Sequence, residues 1–175
     1  HHGKKYEPIA TMFYEHIYNN KVTEFGCLPS LKYPILAASP DGICSKSTLD
    51  GQFSDRLGTM LEIKCPFSRK ILTKGKIAGG ICPYYYFCQV QQQLECCDLE
   101  YCDFWQCNIK EFTNKDEWLE EEGDEQYTEE QNENVHIDEN CRKGAIIQLL
   151  PKKRILENCE FDAKFIYPPD INMTL

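Results

Sequence analysis

The sequence predicts an α/β fold with a central mixed sheet flanked by helices. Residues Leu61–Cys65 form a short apolar run typical of a buried strand. Tyr84–Cys97 shows helical periodicity, and Tyr101–Ile109 alternates in the manner of a half-buried strand. At 175 residues, with 42% hydrophobic content, the chain is long enough for one domain with its own core, and we expect 1–175 to be a single domain.

The first predicted element is a helix with Glu7 near its start and Pro8 in its first turn. It ends near Asn19-Asn20. Its apolar face is predicted from helical spacing to contain Ile9, Met12, Phe13 and Ile17.

A short strand, Tyr33–Ala38, is predicted to run into the turn Ser39-Pro40-Asp41-Gly42. Here proline fixes φ and glycine tolerates positive φ. The polar stretch Ile43–Gly58 then connects two antiparallel strands, which places Asp41 beside Glu62.

The remaining segments read as a glycine- and lysine-rich loop at Lys74–Pro83 and two late strand-like elements at Ala145–Leu150 and Glu160–Tyr167. Between them, residues 114–140 carry twelve acidic residues and one lysine. This net charge of −11 predicts a solvated surface insertion, helical at most around Trp118. No run of residues matches a membrane span or a signal peptide, so we expect an intracellular protein, cytoplasmic or nuclear.

The chemistry is concentrated at Asp41, Glu62 and Lys64. Alternate residues of a strand project to the same face, so Glu62 and Lys64 point together. Two carboxylates and an ammonium converging on one point suit a hard cation and an attacked phosphate. Taken singly, the turn and the Glu-x-Lys pair have ordinary structural explanations. Their combination on a buried strand favours a site.

Charge and cysteine content leave this interpretation open. The whole chain carries −9, so the residues outside the acidic segment carry +2, and basic residues follow the proposed site from Arg69 to Lys76. The eleven cysteines contain no C-x-x-C pair, which favours reduced thiols. An iron–sulfur or zinc site remains an alternative; its cysteines would be Cys88, Cys96, Cys97, Cys102 and Cys107.

Together these motifs resemble the lambda-exonuclease/YqaJ-like viral recombinase family of the PD-(D/E)xK nuclease superfamily. The resemblance spans residues 3 to about 110. It consists of Gly3-x-x-Tyr6-Glu7 opening a helix, the SPDG turn, the run Leu61–Phe67, and Tyr86-x-x-Gln89-Val90-Gln91 on the next helix. It implies a restriction-endonuclease-like core. Family members usually have a further N-terminal region before the first helix, so either the chain is a fragment or those upstream contacts are missing.

The resemblance also implies roles for individual residues. Asp41, Glu62 and the Ile63 carbonyl would hold Mg²⁺, or Mn²⁺ as a substitute. Glu7 would approach a second metal position, directly or through water. Lys64 would orient or deprotonate the attacking water.

Gln89 would support Lys64 or the scissile phosphate. Contacts to DNA are expected from the side chains Ser39, Arg69, Lys70, Tyr86 and Gln91. For Glu7, capping of the helix N-terminus is an equally good explanation.

The function implied is a magnesium-dependent 5′→3′ exonuclease on linear double-stranded DNA, acting in recombination, repair or viral DNA processing. Its expected partners are DNA ends and a single-strand annealing protein, with a homo-oligomer as a further expectation. Two alternatives remain: a structure-selective or restriction-type endonuclease on the same core, and a catalytically idle DNA-binding or interaction module.

Overall fold

The structure is a computed structural model that describes residues 2–67, 71, 84–120, 144–151, 163–169 and 171. The chain divides into two compact units, residues 1–109 and 110–175. In chain order the first unit contains α1 (His2–Tyr18), β1 (Val22–Thr23), β2 (Leu28–Pro29), β3 (Ala37–Ala38), β4 (Gly42–Cys44), β5 (Met60–Lys64), α2 (Tyr84–Cys97) and β6 (Cys102–Gln106).

A four-stranded mixed sheet in the order β1-β4-β5-β6 forms the centre of this unit. The β1–β4 and β4–β5 pairs are antiparallel, and β5 and β6 are parallel. Because parallel neighbours need a crossover connection, α2 lies between β5 and β6 in sequence. The predicted α/β class with a mixed sheet and helices is therefore confirmed, and α2 has the predicted bounds. The strand predicted at Tyr33–Ala38 is shorter, since only Ala37–Ala38 pairs, with β2.

Helix α1 differs from the prediction in its start and in its buried face. It begins at His2, so Glu7 and Pro8 lie inside the helix and Glu7 does not cap its N-terminus. The first turns are held by ring packing between His2 and buried Tyr6, whose centroids are 4.6 Å apart. Ile17, predicted to be in the core, is exposed.

The buried stripe of α1 is Tyr6, Ala10 and Tyr14. Ile9, Met12 and Phe13 are only partly buried. The choice of face comes from polar contacts with β6, which apolar periodicity does not reveal. Trp105 Nε1 donates to the Ala10 carbonyl at 3.1 Å, and the Tyr14 hydroxyl donates to Asp103 at 2.6 Å.

The two faces of β5 point toward different helices. Leu61 pairs with Asp103 and Ile63 pairs with Trp105, so these side chains share the face that packs on α1. Glu62 and Lys64 alternate to the other face, where α2 supplies their partners.

Glycine is required at position 42 because there is no room for a side chain, and not because the backbone adopts an unusual angle. Among the described residues the glycines with positive φ are Gly51 and Gly58, so Gly42 does not use the positive φ that glycine tolerates. A Cβ atom on Gly42 would collide with Val22 Cγ1 on the neighbouring strand. This close approach lets β1 pair with β4 directly after Asp41. The turn thus delivers Asp41 beside β5, because β4 pairs with β5 from Gly42 and Leu61.

The second unit contains α3 (Lys115–Glu120) and an antiparallel pair formed by β7 (Ile147–Leu149) and β8 (Lys164–Ile166). The two late strands are therefore confirmed, as is a helix at Trp118. Most of the acidic segment 114–140, from residue 121 onward, lies outside the described residues, as does the whole of the predicted loop Lys74–Pro83. Within the described ranges, no helix has the length and apolar character needed to span a membrane.

Candidate active site

Glu62 is the centre of the site, with its side chain only 1% exposed in the middle of β5. Its Oε1 atom forms an ion pair with Lys64 Nζ, whose side chain is 20% exposed. The pair forms because residues two apart on a strand share a face. A buried carboxylate is costly unless it is paired and hydrogen-bonded, and Glu62 meets both conditions.

Two glutamines of α2 complete the shell around Glu62. Gln89 Nε2 donates to Oε1 at 2.7 Å, and Gln93 Nε2 donates to Oε2 at 2.8 Å. Four residues apart, they lie on the same side of the helix. The predicted Gln89 therefore reaches the site, but Gln93 was not predicted. The available signal was the spacing of the two glutamines on the helix that follows the Glu-x-Lys strand.

Asp41 is fixed by the backbone of the strand that carries Glu62. The Ile63 amide donates to Asp41 Oδ2 at 2.6 Å. Burial, followed by the negative charges of Glu62 and Glu7, raises the pKa of Asp41 from 3.8 to about 6, while the Ile63 hydrogen bond and Lys64 oppose the shift. Asp41 thus occupies a desolvated, electronegative position, as a metal-binding carboxylate would.

Glu7 approaches the same place from α1. It borders a cavity of about 270 Å³ that also contains Asp41 and Lys64. Burial raises the pKa of Glu7, with repulsion from Glu24 and Glu62 adding to the effect. The full lining is Gly3, Lys4, Glu7, Asp41, Ile63, Lys64, Cys65, Pro66 and Tyr86.

The residues predicted to contact DNA differ in whether they line the cavity. Tyr86 lines the cavity, with Lys64 Nζ 5.0 Å from its ring centroid. Ser39 is exposed, and its carbonyl oxygen is 3.5 Å from Gln93 Nε2. Gln91 is exposed on α2. Arg69 and Lys70 lie outside the described residues.

The donor set of this cavity fits a divalent cation such as Mg²⁺. Glu7 and Asp41 in its lining and neighbouring Glu62 offer hard oxygen ligands; the charge of Glu62 raises the pKa of both Glu7 and Asp41, a repulsion that a cation would relieve. Glu62 Oε1 is engaged by both Lys64 and Gln89, so this oxygen would bind a cation only after Lys64 turns away. Accordingly, in the described part of the chain, no three His, Cys, Asp or Glu side chains are grouped as a ready-made metal site.

A carboxylate at a turn and a Glu-x-Lys strand on a mixed sheet between helices define the PD-(D/E)xK arrangement. The family model described as the YqaJ-like viral recombinase domain matches residues 1–100. The chain belongs to this family.

Two further proteins are similar. An uncharacterised protein of Acanthamoeba polyphaga mimivirus is 44% identical over 99% of this chain; the chain spans 31% of that relative's length. The crystal structure of LHK-Exo in complex with dAMP is 26% identical, with a TM-score of 0.42 over 59% of this chain and 47% of that one.

Proposed function

We propose that this protein is a magnesium-dependent deoxyribonuclease that hydrolyses DNA phosphodiester bonds at the cavity between Glu7, Asp41 and Lys64. The observation that carries the proposal is the convergence of these three side chains on one cavity, next to buried Glu62 in the middle of β5. Membership in the YqaJ-like viral recombinase family supports the same chemistry.

The metal ligands in this proposal are Asp41, Glu62 and the Ile63 carbonyl, with Glu7 at a second position. A bound divalent cation would supply an activated water and a counter-charge for the phosphoryl oxygens. Asp41 is held in place for this role by the Ile63 amide. Mn²⁺ would substitute for Mg²⁺, because both prefer oxygen ligands.

Lys64 has two tasks in the proposed reaction. Before substrate binds, its ammonium neutralises buried Glu62. During hydrolysis the ammonium orients the attacking water and stabilises the negative charge that develops on the phosphate. Its position 5.0 Å from the Tyr86 ring centroid keeps the ammonium at the cavity wall. Gln89, which shares Glu62 Oε1 with Lys64, retains a donor on the carboxylate when Lys64 turns toward the phosphate.

We further propose that the substrate is linear double-stranded DNA and that degradation runs 5′→3′. The YqaJ-like resemblance supports this mode, as does the basic run from Arg69 to Lys76 that follows β5 in the sequence. Basic side chains favour a phosphorylated terminus. The single strand left behind would be the substrate of an annealing partner.

The test uses linear duplexes labelled at either the 5′ or the 3′ end, with and without a 5′ phosphate, beside a covalently closed circle. We expect Mg²⁺-dependent release of the 5′ label first, faster with a 5′ phosphate, and no cutting of the circle. Early release of the 3′ label would contradict the polarity. Ready cutting of the circle would identify an endonuclease, and binding without cleavage would identify an idle DNA-binding module.

A further inference from the structure

Gln93 joins the two parts of the chain that carry the proposed metal ligands. Its side chain is buried, at 5% exposure, on the side of α2 that faces the sheet. Nε2 donates to Glu62 Oε2 at 2.8 Å and lies 3.5 Å from the carbonyl oxygen of Ser39, two residues before Asp41. One amide group therefore contacts both β5 and the turn that leads into β4.

The contacts of the two Glu62 oxygens differ in kind. Oε1 is shared by Lys64 and Gln89, and Lys64 has a second task at the phosphate. Oε2 accepts from Gln93, which has no part in the proposed chemistry. The Gln93 amide is neutral, so it does not compete with a metal ion for the negative charge of Glu62. Its contact with Oε2 can therefore persist when a metal ion binds at Oε1.

We propose that Gln93 is the positioning residue for Glu62: it fixes Oε2 and so presents Oε1 to the metal. This inference rests on the proposed function. Groups that orient a metal ligand through a hydrogen bond commonly change metal affinity about 10–100-fold when they are removed. Gln93 acts through Glu62 and does not itself touch metal or DNA.

The experiment measures Mn²⁺ binding by titration calorimetry without DNA, and the Mg²⁺ concentration that gives half-maximal cleavage. Gln93→Met keeps the length of the side chain and removes the donor. Gln93→Asn keeps the amide but withdraws it by one methylene, and it replaces the Met variant if that variant does not fold. Gln92→Met, at an exposed position of the same helix, is the matched control.

We expect Gln93→Met to raise the Mn²⁺ dissociation constant and the Mg²⁺ requirement about 10–100-fold, with Gln93→Asn intermediate and Gln92→Met unchanged. A purely structural role would lower the melting temperature and leave the metal affinity of the folded fraction unchanged, which would overturn the inference. If the wild type binds Mn²⁺ in a Gln93-dependent manner but cleaves no DNA, the nuclease proposal fails and the inference stands. Absence of Mn²⁺ binding by the wild type would overturn both.

Discussion

The Ile63 amide donates to Asp41 Oδ2 at 2.6 Å and so connects the turn to the strand that carries Glu62. The bond spans the β4–β5 pair, whose register begins at Gly42 and Leu61. A carboxylate at a turn would otherwise face solvent and sample several rotamers. Here one oxygen is fixed by the backbone, and the environment of the group is desolvated. Asp41 is thus preorganised at an electrostatic cost, and the first prediction below depends on that cost.

Asp41→Asn should stabilise the metal-free protein at pH 8 and have little effect at pH 4. The folded-state pKa of about 6 exceeds the ordinary value of 3.8. The proton therefore contributes stability that is fully present below pH 3.8 and lost as the pH rises through 6. Asparagine cannot ionise, so its advantage at pH 8 should reach up to about 3 kcal/mol. Chemical denaturation of the variant and the wild type, in the presence of a chelator at both pH values, measures this difference in the free energy of unfolding.

The control for this prediction is Asp50→Asn, because Asp50 lies on the exposed surface and its pKa is lowered by hydrogen bonds from Thr48 and Asn19. Asp50→Asn should not stabilise the protein at pH 8. Equal effects of Asp41→Asn at pH 4 and pH 8 would show that the Asp41 carboxylate is not strained in the folded state.

Lys64→Ala should leave Mn²⁺ binding intact and lower the cleavage rate about 10²–10³-fold, because a donor aimed at developing charge is removed. Metal binding should survive because the substitution leaves every proposed ligand in place and removes one of the two donors on Glu62 Oε1. Single-turnover cleavage and calorimetry separate the two effects. Lys32→Ala, which breaks an exposed ion pair with Glu95, is the matched control and should be neutral. Near-normal cleavage by folded Lys64→Ala protein would remove Lys64 from the mechanism.

Gly42→Ala should destabilise the protein by about 1–3 kcal/mol, the usual cost of overpacking. The added methyl group meets Val22 Cγ1 in the adjacent strand. Combining it with Val22→Ala should recover part of the loss, since the second change removes the obstructing atom. Urea denaturation of the single and double variants measures this coupling. Additive effects in the double variant would show that the contact between these positions does not limit the packing.

Tyr14→Phe should cost about 1–3 kcal/mol of stability while leaving cleavage unchanged. Its hydroxyl donates to Asp103, which also pairs with Arg56 on the face of the sheet toward α1. Glu62 and Lys64 lie on the opposite face, so the loss is structural. Thermal unfolding measures the loss of stability, and a cleavage assay on the same sample tests whether the rate is unchanged. A large loss of cleavage without loss of stability would contradict the separation of the two faces.

The proximity of Asp41, Glu62 and Lys64 could be predicted from the sequence because strand alternation and turn chemistry are local properties, while their role in catalysis stays a prediction. The bounds of α2 were also predictable, because helical periodicity is likewise a local property of the sequence. The buried face of α1 was not, since Tyr14 is buried through a hydrogen bond to a residue 89 positions away. Gln93 was missed because a glutamine on a helix ordinarily faces solvent, and only the buried carboxylate opposite it explains its burial.

We propose that a metal ion held around Asp41 and Glu62 drives DNA hydrolysis. The most direct measurement is release of nucleotides from a linear duplex by the wild type and by Glu62→Gln, each with Mg²⁺ and with excess chelator, after both proteins are shown to be folded. We expect Mg²⁺-dependent release by the wild type, abolished by chelation, and no release by Glu62→Gln. Cleavage that survives chelation, or that proceeds equally in Glu62→Gln, would contradict it.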